Sequence, residues 1–174
     1  QRIALFAARG EFVAPPALAD LYPVGTLASV GPVENAPCCG REVVRLEGLY
    51  RIRCHSLVDT GAAVEARFER LLDAVEDTRT LIGLTTALKD AARRMNQSFP
   101  GCTYTREALT RASEVERPDQ FPGAVSGLLR HLPLEAQQHL LEAEPLTIRL
   151  QEALGEIHGY LARFGPRPAL RILQ

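Results

Sequence analysis

Four cysteines are the residues of this chain best suited to metal binding or redox chemistry. Cys38 and Cys39 are adjacent, and Cys54 is followed directly by His55. Adjacent residues of an extended chain point to opposite sides, whereas the usual zinc motifs separate two cysteines by two residues so that both sulfurs face the ion. The spacing therefore argues against a metal site. We expect Cys54 and Cys102 to be small apolar side chains or free thiols.

Four histidines, His55, His131, His139 and His158, are the obvious candidates for a general base. A hydrolase would need a serine, cysteine or carboxylate held within hydrogen-bond reach of one of them. No such residue stands at a spacing that indicates a pair, and Pro133 interrupts the stretch between His131 and His139. The sequence therefore predicts solvated or capping histidines and no catalytic residue.

Lys89 is the only lysine of the chain. An ATP-binding loop needs a lysine followed by Ser or Thr after a glycine-rich turn, but Lys89 is followed by Asp90 and lies in a helical pattern. The same pattern predicts that Lys89 is exposed, so burial would not lower its pKa enough to activate a serine. We expect neither ATP hydrolysis nor peptidase activity from this chain, and no cofactor.

Composition and charge indicate a globular protein without nucleic-acid or membrane partners. The 20 basic and 21 acidic residues give a net charge of −1, and neither the acidic first part, up to Thr78, nor the slightly basic second part has the charge of a nucleic-acid surface. The apolar runs are too short to cross a bilayer, and no segment resembles a signal peptide. We expect a cytoplasmic protein.

The first part of the chain, residues 1–78, reads as β structure because short apolar or alternating runs are separated by Pro, Gly, Asn and Asp. Four strands are predicted, at Ile3–Ala8, Val24–Val30, Val43–Cys54 and Ala62–Leu71. In the last two, alternation predicts which side chains point inward. These are Val44, Leu46, Tyr50, Ile52 and Cys54 in the third strand, and Val64, Ala66 and Phe68 in the fourth. Gly48 is predicted to mark a bulge or corner.

The period of the apolar pattern changes near Thr80, and residues 79–174 read as a small helical bundle. The first helix carries a stripe of apolar residues at three- and four-residue steps and ends before Pro100. Shorter helices are predicted at Thr105–Ala112, Gln120–Leu132, Leu134–Ala143 and Leu146–Phe164. The fold class is therefore α+β.

Some residues make finer predictions about these helices. Thr105 and Asp119 are candidate N-caps, because their side-chain oxygens can accept hydrogen bonds from the first free N–H groups of a helix. Gly155 and Gly159 are four residues apart on one helix, and this spacing predicts that another helix packs closely there.

Three segments in order, LYPVGTLASV at 21–30, RLEGLYRIR at 45–53 and HLPLEAQQHLLEAEPLTIRLQEALGEI at 131–157, carry a resemblance to a known family. Together they resemble the amino-terminal domain of Lon proteases. That family has a PUA-like β-rich lobe followed by a helical bundle. The resemblance implies a non-catalytic domain that binds unfolded or damaged proteins and supports assembly of a hexamer with other Lon subunits. It also implies that ATPase and serine protease activity belong to other domains of the parent protein.

The sequence departs from the family pattern at both ends. Family members have two strands and a helix upstream of the segment that matches 2–6, and we expect these to lie outside the given sequence. Lon proteases continue into a long charged helix, whereas Gly165, Pro166 and Pro168 interrupt the tail here. The tail leaves open a second possibility, a standalone Lon-domain binding protein.

A third possibility is an RNA-binding module, because some PUA-like folds bind RNA. Arg45, Arg51 and Arg53 line one strand, but Glu47 and neighbouring acidic residues offset their charge. The sequence argues against this function.

Two residues are candidate contacts for protein substrates. Leu49 is an apolar residue on the polar face of its predicted strand, and Tyr22 lies in a proline-flanked loop. An exposed apolar group is what the capture of unfolded, apolar-rich segments requires.

Overall fold

The computed structural model describes residues 1–11, 14–35, 42–73 and 78–165. Four strands come first: β1 (Arg2–Leu5), β2 (Val24–Asn35), β3 (Glu42–Asp59) and β4 (Val64–Arg70). Five α-helices follow: α1 (Thr78–Ser98), α2 (Thr103–Glu114), α3 (Phe121–Val125), α4 (Leu134–Glu142) and α5 (Leu146–Phe164). The chain divides into two compact units, residues 1–72 and 73–174, called here the β unit and the helical unit. The predicted α+β fold, strands and then a helical bundle, is confirmed.

The four strands form one antiparallel sheet in the order β1-β2-β3-β4. Arg2 pairs with Ser29 at the edge, and β2 pairs with β3 along most of its length. The turn between β3 and β4 contains Gly61, whose φ is +76° and whose N–H donates to Asp59 Oδ1 at 2.8 Å.

The pairing of β2 with β3 is interrupted by a bulge at Leu49. Leu27 pairs with Tyr50 and the next residue, Ala28, pairs with Gly48, so Leu49 is the extra residue of β3. The prediction of a bulge or corner at Gly48 is confirmed. A second irregularity leaves His55 as the extra residue between Cys54 and Ser56.

The core of the β unit is small, and its buried residues come from the middle of the sheet and the segment before β2. They are Leu21, Val24, Leu27, Ala28, Ile52 and Cys54. The inward prediction is confirmed for Ile52 and Cys54, and Tyr50 and Ala66 are half-buried.

The inward prediction is wrong for Val44, Leu46, Val64 and Phe68, all of which are exposed. Val44 and Leu46 lie where β2 and β3 extend beyond β1 and β4, so this stretch is a two-stranded ribbon within the described residues. Val64 and Phe68 lie on β4, which is an edge strand. Alternation identifies the two faces of a strand but does not show whether anything covers one of them.

The core of the helical unit is larger and is built around α1 and α5. Leu88, Ala91 and Met95 of α1 are buried in one cluster with Leu150 and Ile157 of α5. These residues follow the three- and four-residue steps of the predicted stripes, which are confirmed.

The prediction of one continuous helix at Gln120–Leu132 is wrong. A 3-10 turn at Pro118–Gln120 leads into the short α3, and a second 3-10 turn follows at Ser126–Leu129. The predicted face is nevertheless buried, because Phe121, Val125 and Leu128 are in the core. A Cβ on Gly127 would lie 3.4 Å from the Tyr104 carbonyl oxygen, so this segment passes close to α2.

The finer helix predictions are also corrected. Thr105 is not an N-cap, since α2 begins at Thr103 and the buried Thr105 hydroxyl donates to the Cys102 carbonyl at 2.9 Å. Asp119 lies within a 3-10 turn and pairs with Arg117 at 2.6 Å. Close helix packing at Gly155 and Gly159 is wrong, because a Cβ at either position would meet no atom of the described residues within 4 Å.

Candidate functional site

Tyr22 lies in the loop that leads into β2 and is half-buried. Its N–H donates to the Ala7 carbonyl at 2.9 Å, and the Arg9 guanidinium covers one face of its ring at 4.7 Å from the centroid. Arg9 is held in turn by its Nε, which donates to the Leu21 carbonyl at 3.0 Å. The ring is therefore fixed by its own loop and offers only part of its surface to another molecule.

Leu49 lies in the bulge of β3, and 41% of its surface is exposed. Exposed apolar residues follow it along the extension of β2 and β3. With Leu49 they form a set that we call the apolar ribbon: Val33, Val43, Val44, Leu46 and Leu49. Val33 pairs directly with Val44 across the two strands. The sequence drew attention to Leu49 alone, because alternation had assigned Val44 and Leu46 to the core.

The structure does not place Leu49 and Tyr22 side by side. Leu49 lies opposite the peptide between Leu27 and Ala28, whereas Tyr22 precedes the first residue pair of β2 with β3. Five residues of strand separate the two positions, which is about 17 Å. One residue of a bound peptide could not contact both side chains, but one extended segment of about five residues could span them.

An aromatic cluster in the helical unit was not predicted. The Tyr160 ring on α5 contacts three other rings, with centroid distances of 4.0 Å to His131, 4.8 Å to Phe164 and 5.6 Å to Phe99. The four-residue spacing of Tyr160 and Phe164 on one helix was the available signal. His131 and Phe99 come from distant parts of the sequence, and no local pattern joins them to α5.

A shallow cavity of about 450 Å³ lies between α1 and α5. Its polar lining includes Arg94, Gln97, Ser98 and His158. The described lining contains no carboxylate that could orient His158 as a general base. The arrangement does not resemble a hydrolytic site.

The other candidate bases are engaged elsewhere. His55 Nε2 lies 3.6 Å from Glu69 Oε2, and His139 Nε2 lies 3.5 Å from Glu152 Oε2, both at exposed positions. Lys89 is half-buried, and its ammonium lies 5.3 Å from the centre of the Phe121 ring. These contacts are typical of a protein surface.

Cys54 is a buried free thiol whose Sγ donates to the Ser56 carbonyl at 3.6 Å. Burial raises its pKa above the ordinary value, and the hydrogen bond to Ser56 opposes this shift only in part. Cys102 is also free, whereas Cys38 and Cys39 lie outside the described residues.

Within the described ranges no three His, Cys, Asp or Glu side chains are grouped as metal ligands would be. None of the helices described is long and apolar enough to span a bilayer.

A buried ion pair lies within the helical unit. Arg149 on α5 is buried, and its Nη2 donates to Asp73 Oδ1 at 2.5 Å. The Nε and Nη1 atoms of Arg149 are buried without a hydrogen-bond partner in the described part of the chain. Asp73 precedes α1, so the pair fixes the start of the helical unit to its last helix.

Comparisons with known proteins agree with this arrangement. A family model described as the ATP-dependent protease La (LON) substrate-binding domain matches residues 1–158. Lon protease of Escherichia coli (strain K12) is 27% identical over 156 residues, which are 87% of this chain and 19% of that protein. Lon protease of Anaeromyxobacter dehalogenans (strain 2CP-C) is 29% identical over 143 residues, 80% of this chain and 16% of that protein. The chain thus spans less than a fifth of the length of these relatives.

A solved structure has the same fold. The N-terminal domain of Mycobacterium avium complex Lon protease superimposes with a TM-score of 0.65 at 20% sequence identity. The match covers 91% of this chain and 78% of that one.

Proposed function

Because the chain belongs to the family of ATP-dependent protease La (LON) substrate-binding domains, we propose that it binds unfolded or damaged proteins on behalf of a Lon-type protease. In this proposal the chain captures substrates and does not cleave them. ATP hydrolysis and the serine protease chemistry belong to the remainder of a longer, cytoplasmic protein. That protein assembles as a hexamer, and this domain needs no cofactor.

The observation that carries the proposal is the apolar ribbon. Folded proteins cover many of their large apolar side chains, whereas this ribbon exposes four of them on the two-stranded extension and a fifth, Leu49, at the bulge next to it. Burying such a side chain against a partner contributes about 1 to 2 kcal/mol. Several contacts of this size can hold an apolar-rich segment of an unfolded chain and still release it.

We assign two substrate contacts, Leu49 in the apolar ribbon and Tyr22 in the loop before β2. The bulge presents Leu49 outside the regular ladder, and the loop holds the Tyr22 ring in one orientation under Arg9. An extended segment of about five residues would be long enough to span the two positions. The proposed substrate is therefore an extended segment with apolar side chains near both of its ends.

Nucleic acid is a poor alternative partner. The Arg53 guanidinium on β3 lies 3.4 Å from Glu69 and is therefore already paired with a carboxylate. Binding to phosphates depends on several cationic groups free to replace counterions.

The test is a double substitution, Leu49→Ser with Tyr22→Ser, in the 174-residue chain. We expect its affinity for a chemically denatured, soluble model protein to fall at least about tenfold, because two apolar contacts are lost. Binding is measured by fluorescence anisotropy of the labelled denatured protein. The matched control is Val58→Ser, since Val58 lies on the same strand and is 42% exposed. Equal affinities of the double variant and the wild type would reject these two residues as contacts, and no binding by the wild type would reject the proposed function.

A further inference from the structure

The aromatic cluster of the helical unit continues into a second set of stacked side chains. The Arg130 guanidinium lies 4.0 Å over the Tyr104 ring, and its neighbour His131 packs on Tyr160. On α5 the Arg163 guanidinium lies 5.1 Å from the centre of the Phe164 ring. Arg130 and His131 are consecutive residues, so the two sets of contacts are neighbours at this point of the chain. We call the aromatic surface the set Tyr104, Arg130, His131, Tyr160, Arg163 and Phe164.

The rings of this surface are accessible at both ends. Phe164 is 53% exposed and Tyr104 is 49% exposed. Aromatic and arginine side chains are enriched at protein interfaces and contribute much of the binding energy of many of them. Six such groups on one small unit exceed what scattered surface residues provide.

The two arginines of the surface have no carboxylate partner in the part of the chain that the structure describes. Among the described residues neither Arg130 nor Arg163 forms an ion pair, whereas Arg117, Arg93 and Arg149 do. A guanidinium that stacks on a ring keeps its N–H edges free to donate to an oxygen anion. The surface therefore combines apolar rings with two unused hydrogen-bond donor groups of positive charge.

We propose that the aromatic surface binds segments of unfolded protein in which an aromatic side chain is flanked by Asp or Glu. The aromatic side chain packs on Tyr160 and Phe164, and the flanking carboxylates accept hydrogen bonds from Arg130 and Arg163. This inference rests on the proposed function and deepens it, since it names a chemical class of substrate segment and a contact surface in the helical unit.

A nucleic-acid strand also stacks on rings and pairs with arginines, but it fits this surface less well. The chain has a net charge of −1, and two free guanidiniums cannot neutralise a run of phosphates. A peptide with a few carboxylates needs no more than these two groups. Charge complementarity therefore favours the acidic aromatic peptide.

The chain contains no tryptophan, so a tryptophan in a peptide probe can be observed without background. The probe is a short peptide with a single tryptophan flanked by aspartates, and the comparison peptide carries lysines in place of the aspartates. Tryptophan emission is followed as the 174-residue chain is added. We expect the aspartate peptide to bind at least about tenfold more tightly than the lysine peptide, as two charge-assisted hydrogen bonds would give.

Substitutions then locate the site. Arg130→Gln with Arg163→Gln, or Phe164→Ser alone, is expected to weaken binding of the aspartate peptide about tenfold. Arg117→Gln is a control for the loss of positive charge, because Arg117 is already paired with Asp119. Ile82→Ser is a control for Phe164→Ser, because Ile82 is also an exposed apolar residue, with 57% of its surface exposed. It lies near the start of α1, whereas Phe99 of the aromatic cluster follows the end of that helix.

A charge reversal separates loss of binding from loss of folding. Arg130→Glu with Arg163→Glu is expected to reverse the preference, so that the lysine peptide binds more tightly than the aspartate peptide. The circular dichroism spectrum of this variant shows whether it has kept the fold of the wild type.

Several results would overturn the proposal. The first is equal binding of the two peptides to the wild type, and the second is unchanged binding after the Arg130 and Arg163 substitutions. The third is displacement of the aspartate peptide by a short single-stranded oligonucleotide that binds more tightly. Sedimentation equilibrium tests another occupant. If the wild type forms a dimer and Phe164→Ser abolishes it, the surface binds a second copy of the chain. The proposed function is tested separately. If denatured protein still binds and the Leu49 and Tyr22 substitutions weaken that binding, the proposed function stands even when the aromatic surface is rejected.

Discussion

At the scale of single residues, Gly25 shows how one missing side chain permits the β unit to pack. A Cβ at this position would lie 2.2 Å from the Leu5 carbonyl oxygen and 2.4 Å from a ring carbon of Phe6. Backbone atoms cannot yield as the end of a flexible side chain can. We therefore expect Gly25→Ala to lower the free energy of unfolding by about 2 to 3 kcal/mol.

Urea denaturation followed by intrinsic tyrosine fluorescence measures the change. Gly10→Ala is the control in the same unit, because a Cβ there would meet no atom within 4 Å. A loss for Gly25→Ala no larger than that for Gly10→Ala would show that β1 can shift to admit the methyl group.

The sequence predicts the environment of a single residue where the pattern of its neighbours along the chain determines it. Leu49 stood out because an apolar residue at a polar position of an alternating strand is unusual, and the structure exposes it. The bulge that displaces it follows from the pairing of β3 with β2, which one strand alone does not reveal. The partner of Arg149 was equally hidden, because Asp73 lies 76 residues away in the sequence.

At the scale of elements, the pair of Asp73 with Arg149 joins the segment before α1 to α5. Asp73→Ala would leave the buried guanidinium without its carboxylate, and we expect the free energy of unfolding to fall by about 3 kcal/mol. Replacing both residues, Asp73→Ala with Arg149→Leu, is expected to restore most of this loss, since no charge then remains buried. Thermal and urea denaturation followed by circular dichroism at 222 nm measure both variants.

The exposed pair of Asp90 and Arg93, 2.6 Å apart on α1, provides the control. Asp90→Ala is expected to cost less than about 0.5 kcal/mol, because water solvates the remaining arginine. If Asp73→Ala lowers the free energy of unfolding by no more than Asp90→Ala does, water reaches the Arg149 guanidinium as well.

Elements with a long, regular apolar period were predictable, and those shaped by their neighbours were not. The helices α1 and α5 have 21 and 19 residues and strong stripes, and their cores agree with prediction. The segment 118–129 kept its predicted buried face but not its helical hydrogen bonds, because it passes closely over α2 at Gly127. The strands β2 and β3 are longer than predicted, because β2 pairs with β3 as far as Asn35 and β3 pairs with β4 as far as Asp59.

At the scale of the whole molecule, the two units differ in the size of their cores. Of the described residues, six buried apolar side chains belong to the β unit and 17 to the helical unit. A unit with a larger core of its own has a better chance of folding alone. We expect the fragment 73–174 to unfold cooperatively and the fragment 1–72 to lack a cooperative transition.

Circular dichroism and calorimetry of the two separate fragments test this expectation. The fragment 73–174 retains Asp73 and therefore its ion pair with Arg149. A noncooperative transition of this fragment would show that its helices depend on the β unit.

The bulge at Leu49 also bears on how such a domain can change its specificity. An extra residue in a strand can be deleted without moving the pairs on either side, so Gly48 would still face Ala28 and Tyr50 would still face Leu27. A deletion in a regularly paired part of the sheet has no such freedom, because a one-residue slip turns every following side chain to the opposite face. The proposed contact residue is therefore separable from the sheet that carries it. Insertion and deletion at this position offer a route to new preferences that leaves the architecture of the sheet untouched.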